Sequence, residues 1–223
     1  MSFTQNINLI HSEILRAQKK SNASAEKVRI LAATKGRSPE EINEIIKNEH
    51  ISLIGENRLQ EAEVKFSRLK KCERHFIGNI QSRKIPKIVS NFDCIESVSG
   101  LFHAEKISTS AQKEEKEIDI FIEVSVTGEK QKSGVPLQNL DEFLGQASKY
   151  KNIKIRGLMT MARFGAQEKE LRETFSALRK LRDNYQKIYP ELQELSMGMS
   201  DDFKLAVEEG ATIVRLGRVL FTG

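Results

Sequence analysis

The sequence predicts an α/β protein built as a single (β/α)8 barrel, on three observations. Short apolar runs alternate with helical patterns eight times along 223 residues. Parallel strands need a crossover between them, and a helix is the usual one. The fingerprint GxGxxG, which an open doubly wound sheet would often carry, is absent. A helix within residues 1–21 precedes the first strand, and none is expected after the last. The leading helix is therefore expected to fill that gap in the outer ring, because strands one and eight are neighbours in a closed barrel. Residues 1–223 read as one domain, with no internal boundary.

The elements follow in order. Ile7, Ile10, Ile14 and Leu15 place an apolar stripe on the first helix. After a polar break at Asn22 to Glu26, Val28 to Thr34 is the first strand. Ser38, Pro39 and Glu41 then spell a capping box with proline at the first helical position, followed by Ile42, Ile45 and Ile46. Ile51 to Ile54 is the second strand and Leu59 to Lys71 its helix. His75 to Asn79 is the third strand, followed by a short helix over Ser82 to Val89. Phe92 to Val98 is the fourth, with a helix over Leu101 to Glu114. Ile118 to Val126 is the clearest strand in the chain, and a loop leads from it to a helix over Asn139 to Lys149. Ile153 to Met161 is the sixth strand, before a long helix from Lys169 to Ile188. Leu195 to Met199 is the seventh, and a brief helix over Asp202 to Glu209 leads to the eighth, Thr212 to Phe221.

Composition excludes several classes. With 39% hydrophobic and 30% charged residues and no Trp, the chain is an ordinary soluble protein. No apolar run approaches the ~20 residues that span a bilayer, and the N-terminus lacks a signal pattern, so no membrane association and a cytoplasmic location are expected. Cys72 and Cys94 form no CxxC spacing. Two free thiols in a reducing compartment, and no metal site, are expected. A net charge of +5 permits an anionic partner, but the basic residues are interleaved with acids and aromatics are only 6%. A nucleic-acid binder would more often show a clustered basic stripe with aromatics, so no such partner is expected.

In a barrel of this kind the chemistry lies where strands hand over to helices. Lys35 closes strand one. A partly desolvated amine there would be a nucleophile toward a carbonyl, although the residue alone is also read as a polar strand end. Met159, with Thr160 and Met161 at the end of strand six, joins the candidate pocket. After strand seven, Gly198 lets the backbone approach closely, and Ser200 offers a hydroxyl beside the N–H groups of the next helix. After strand eight, Gly217 and Arg218 can add backbone donors. These two loops are the usual phosphate site of a barrel. Gly198 to Asp202 also reads as a capped helix start with a glycine turn, and Asp201 and Asp202 are assigned to capping because they would repel a phosphate. Arg215 interrupts an apolar run on the inward face and must have a partner. A salt bridge to Glu56 or Glu123 and a hydrogen bond to a ligand's ring nitrogen are both open.

Lys35 at strand one, Gly55-Glu56-Asn57, His75-Phe76-Ile77-Gly78 with Gln81, Lys132-Ser133-Gly134, Arg156-Gly157-Leu158-Met159, Leu195 to Asp202 and Val214-Arg215-Leu216-Gly217 resemble, in order, the motifs of the pyridoxal phosphate homeostasis proteins, the YggS/PROSC family. The resemblance spans nearly the whole chain. It implies a barrel like the N-terminal domain of alanine racemase, with pyridoxal 5'-phosphate (PLP) held as a Schiff base on Lys35. It also implies Ser200 and Gly217 at the phosphate, Arg215 at the pyridine nitrogen and Asn57 lining the pocket. Arg83 stands where the family usually has asparagine, and the ending Leu220-Phe221-Thr222-Gly223 departs from the usual aliphatic-Phe-Gly.

A racemase needs two opposed bases across the cofactor. Lys35 could supply one, but Tyr150, Tyr185 and Tyr189 fall on expected helices or their ends, away from the strand mouths. The racemases bring their tyrosine from a second domain of a partner subunit, and no second domain is read here. A carrier that holds PLP and delivers it, with transient contact to apo PLP enzymes, is therefore expected, with no catalytic residue assigned. A fold-type III PLP-dependent racemase or decarboxylase is the enzyme alternative. A cofactor-free Schiff-base aldolase would leave Arg215 and the phosphate loops idle, and a nucleic-acid module would explain the charge only. A monomer is expected, since no exposed apolar repeat demands an interface.

Overall fold

The structure is a computed structural model and describes residues 2–21, 27–127 and 133–221. The polar break at 22–26, Lys132 and the terminal Thr222 and Gly223 lie outside the described residues. The first half of the chain contains Phe3–Lys20 (α1), Arg29–Ala33 (β1), Pro39–Ile46 (α2), Ile51–Glu56 (β2), Leu59–Lys65 (α3), Glu73–Phe76 (β3), Ile85–Asn91 (α4) and Cys94–Val98 (β4). Leu101–Lys113 (α5), Ile118–Ser125 (β5), Val135–Pro136 (β6), Leu140–Ala147 (α6) and Ile153–Met159 (β7) follow. Glu168–Tyr185 (α7), Glu194–Ser196 (β8), Phe203–Glu208 (α8), Ile213–Leu216 (β9) and Arg218–Phe221 (α9) complete it.

Eight strands close into a parallel ring in the order β1-β2-β3-β4-β5-β7-β8-β9, with β9 pairing back onto β1. The two-residue β6 is an addition to β5, with Val124 opposite Val135. Successive side chains on each strand point to opposite faces, which divides the apolar residues in two. Leu31, Leu53, Cys94, Phe121, Met159 and Ile213 pack inside the barrel. Ile30, Ala32, Ile54, Ile120, Ile122, Val214 and Leu216 pack outward against the helices.

Local signals account for the helix starts. Ser38 Oγ accepts from Glu41 N at 3.2 Å, and the Glu41 carboxylate accepts from Ser38 N at 2.8 Å, closing the capping box. Ser2 and Gln5 close a second one at the head of α1. On α1, Ile7, Ile10, Ile14 and Ala17 are buried, whereas Leu15 is 46% exposed and lies off the expected stripe.

The end of the barrel differs from expectation. The apolar residues of the expected eighth strand split at Gly217 into β9 and the one-turn helix α9. A short apolar run does not by itself distinguish a strand from a buried helical turn. Here packing against α1 decides: Phe221 meets Phe3 edge to face at 5.9 Å, and Asn6 Nδ2 donates to the carbonyls of Val219 and Leu220. The outer ring therefore has a helical turn after its last strand, and α1 packs against it and α8. Strands three, seven and six also end earlier than expected, at Phe76, Ser196 and Met159. No helix among the described residues is long and apolar enough to cross a membrane.

The burial difference along α1 sets a test. Ile14→Ala should cost about 2–5 kcal/mol of stability, and Leu15→Ala should stay within about 0.5 kcal/mol; chemical denaturation midpoints of the two variants measure both.

Candidate functional site

All eight candidate residues come from five consecutive strands of the ring, β2, β1, β9, β8 and β7, at or just past their C-terminal ends. Lys35 lies in the turn after β1. Its side chain is exposed, which corrects the expectation of a desolvated amine. Asn57 follows β2 and is also exposed. Ala33 pairs with Gly55, so the turns carrying Lys35 and Asn57 leave the barrel side by side. Gly217 follows β9; a Cβ built there would make ordinary van der Waals contact with Ala33 Cβ and O at 3.6 Å, which places its main chain beside the end of β1. Arg218 opens α9 and is exposed. Met159 closes β7, is buried, and lines a cavity of about 80 Å3 with Ile77, Ser97 and Glu123.

The turn after β8 is tightly built. Gly198 has φ +92°, and a Cβ there would fall 2.5 Å from Ala206 Cβ, so only glycine lets α8 pack against this turn. Its carbonyl accepts from Arg215 N at 2.9 Å, tying the turn to β9. Ser200 is half-buried within it. The carboxylate of Asp202 accepts from Met199 N at 2.6 Å and makes no cap bond to α8. Asp201 pairs with Arg218 at 2.9 Å. The two aspartates therefore close the turn and engage Arg218, rather than capping the helix as expected. Burial raises the Asp202 carboxyl above its usual range, against the pull of the Met199 N–H and Arg215.

Arg215 points into the barrel, and its partners are not those the sequence suggested. Glu56 faces outward, bound to Lys65 at 2.7 Å. Arg215 Nη1 donates to Ser196 Oγ at 2.8 Å and Nη2 to the Thr160 carbonyl at 2.9 Å. Ser196 Oγ in turn donates to Glu96 Oε2 at 2.5 Å. Glu96 Oε1 meets His75 Nδ1 at 2.6 Å, and His75 Nε2 meets Glu73 Oε1 at 2.8 Å. Glu73 and Glu194 both bind Arg29, at 3.1 and 2.6 Å. A chain of polar groups thus runs through the barrel from Arg215 near the mouth to Arg29 at the start of β1. With His75 protonated it holds three cations, Arg29, His75 and Arg215, against three carboxylates, Glu73, Glu96 and Glu194. Glu123 adds only longer-range attraction to Arg215, and burial raises its own carboxyl.

Burial opposes charge on His75, but Cys94, Glu73 and Glu96 outweigh it and hold the imidazole well above its usual pKa. Burial likewise opposes the Glu96 carboxylate, yet His75, Arg215 and Ser196 keep it below the usual range. Sequence reading missed Ser196, Glu96, His75, Glu73 and Arg29 as partners. The available signal was the one that singled out Arg215: a charged residue inside a run that is otherwise apolar, as in Cys94-Ile95-Glu96.

Fold and mouth define a (β/α)8 barrel protein with polar groups from five adjacent strands gathered at the C-terminal end. Residues 9–223 match the alanine racemase N-terminal domain family. A pyridoxal phosphate homeostasis protein of Aquifex aeolicus is 37% identical over 224 residues, covering 99% of this chain and 98% of that one. Another, from Vibrio alginolyticus, is 33% identical over 227 residues, covering 99% and 97%. The solved structure of PipY from Synechococcus elongatus with PLP bound aligns with a TM-score of 0.81 at 32% identity, covering 95% of this chain and 100% of that one. The chain belongs to the alanine racemase N-terminal domain family and, within it, to the pyridoxal phosphate homeostasis proteins.

The buried chain sets a pH dependence. The raised pKa of His75 contributes stability that is complete below its unfolded value of about 6.5 and is lost as pH rises through the folded value. The lowered pKa of Glu96 contributes stability that is present above its unfolded value of about 4.3 and is lost as pH falls through the folded one. In His75→Gln the alkaline decline of Tm should flatten relative to wild type, as read from thermal melts across pH 5 to 10.

Proposed function

We propose that this protein holds PLP covalently on Lys35 and passes it on, and that it supports no substantial turnover of its own. The observation that carries the reading is the grouping of an accessible amine, a buried guanidinium and two donor-bearing turns at one mouth. The residues fit such a group. Lys35 is exposed and can reach a ligand. A guanidinium carries more N–H donors than the two bonds of Arg215 use, so it can serve a ring nitrogen as well. The hydroxyl of Ser200 and the main chain at Gly217, with Gly198 and Arg218 shaping the same two turns, suit a phosphate. Asn57 and Met159 would line the sides.

When bound, PLP would supply an aldehyde, and Lys35 is the residue whose amine would hold it, with water as the leaving group. PLP is bound in the PipY structure, which supports PLP as the group held here. Arg215 would donate to a ring nitrogen without protonating it, which would weaken the ring as an electron sink and disfavour deep carbanion chemistry.

The placement of the tyrosines also favours a carrier. Tyr150, Tyr185 and Tyr189 all lie at helix ends or in connections that lead from a helix into the next strand, and so at the end of the barrel opposite Lys35. Burial and Asp141 push the Tyr185 hydroxyl up to about 12, a poor base at neutral pH. No tyrosine of this chain therefore stands across the mouth as a second base. Delivery by transient contact with apo PLP enzymes completes the reading.

The test is spectroscopic and chemical. Protein saturated with PLP should absorb in the visible, Lys35→Ala should not, and borohydride should fix the reduced cofactor on the peptide containing Lys35. Holo-protein should restore activity to an apo PLP enzyme and should leave amino acids unracemised. An adduct on another residue, or amino-acid turnover abolished in Lys35→Ala, overturns the proposal.

A further inference from the structure

Lys35 lies between two residues whose main-chain groups are gripped by side chains from α3. Thr34 is fully buried, and its carbonyl accepts from Lys65 Nζ at 3.0 Å. Gly36, at φ +72°, donates its N–H to Glu61 Oε2 at 2.9 Å. The same Lys65 ammonium binds Glu56 Oε1 at 2.7 Å and Glu61 Oε2 at 3.1 Å. An ammonium has three N–H donors, so Lys65 has a partner for each. The Thr34 hydroxyl adds a bond to Glu56 Oε1 at 2.8 Å. One buried cation thus ties together the residues on both sides of Lys35.

The arrangement is costly for stability alone. The Lys65 side chain is 9% exposed and that of Glu56 is 0%. Glu56 Oε2 is buried without a hydrogen-bond partner, so compensation for that carboxylate falls on Oε1, from the Lys65 ammonium and the Thr34 hydroxyl. An apolar pair of similar volume often serves a fold as well as a buried ion pair. What the ion pair adds is directional bonding to the carbonyl of Thr34, and Glu61 holds the amide of Gly36. Together they fix the root of a side chain that is itself exposed.

We propose that Lys65, Glu56 and Glu61 are positioning residues for Lys35, holding its backbone so that the amine meets the carbonyl carbon of an incoming aldehyde in a reactive orientation. This rests on the reading of Lys35 as the residue that captures PLP. Orientation of a nucleophile governs its rate, and a small misplacement lowers it by an order of magnitude or more.

The experiment follows capture by the cofactor-free protein after mixing with PLP, reading the growth of the visible band and the borohydride-fixed mass on the Lys35 peptide. Glu61→Ala removes the Gly36 contact and one of the three Lys65 bonds at a site that is 25% exposed. It should fold with a lowered melt and capture PLP about tenfold more slowly. Glu61→Gln retains an acceptor and should recover to within about twofold of wild type. The double variant Glu56→Gln with Lys65→Met removes both buried charges together, and when folded it should also be slow. If the folded variants capture at the wild-type rate, or if Glu61→Gln is as slow as Glu61→Ala, the clamp is overturned as a positioning device. Should the double variant fail to fold, Glu61→Ala and Glu61→Gln decide. Wild-type protein with no adduct on Lys35 would refute the capture reading itself, a result distinct from variants that match wild type.

Discussion

A guanidinium inside a barrel has to be compensated, and the interior around Arg215 is organised by that requirement. Moving an ion out of water costs several kcal/mol unless charges and hydrogen bonds replace the lost solvation. Here replacement comes from Ser196 and Thr160 directly and from Glu96 behind the serine. Glu96 is itself buried, so it needs His75, and His75 needs Glu73. The series ends only at Arg29 and Glu194, which are partly exposed. Strand register is bound up with this chain, since a slip of one residue would turn each of these side chains out of the barrel.

The mouth above that chain is arranged differently. Arg215 is immobilised by buried acceptors, whereas Lys35 is exposed and only the residues beside it are held. A fixed cation and an accessible amine thus stand at the ends of neighbouring strands. Racemisation would need a second base across the mouth, and the tyrosines lie at the other end of the barrel. At the same mouth Asp201 is paired with Arg218 and Asp202 accepts from Met199 N.

Much of the site was legible because its residues interrupt simple patterns. Lys35 ends an apolar run, Arg215 breaks one, and Gly198 and Gly217 sit where strands become helices. Boundaries were less legible. Val219, Leu220 and Phe221 read as more strand, and only their contact with α1 makes them a helical turn. Leu15 was placed on the buried stripe because a four-residue spacing and a three-residue spacing both look helical, and the neighbours that cover Ile14 leave it in solvent.

The sequence by itself determined the alternation of strands and helices, the parallel barrel and the identity of the groups at its mouth, because these follow from local periodicity, capping residues and turn chemistry. Tertiary structure alone decided who partners whom. Arg215 met Ser196, with Glu96 behind it, and Thr160 instead of Glu56, and Lys65 reached the main chain of Thr34, 31 positions away. Those pairings depend on strand order and inward or outward facing across the closed ring, and no local spacing encodes them. Burial of Arg215 and exposure of Lys35 have the same origin: one lies on a strand inside the closed barrel and the other in a turn past its rim.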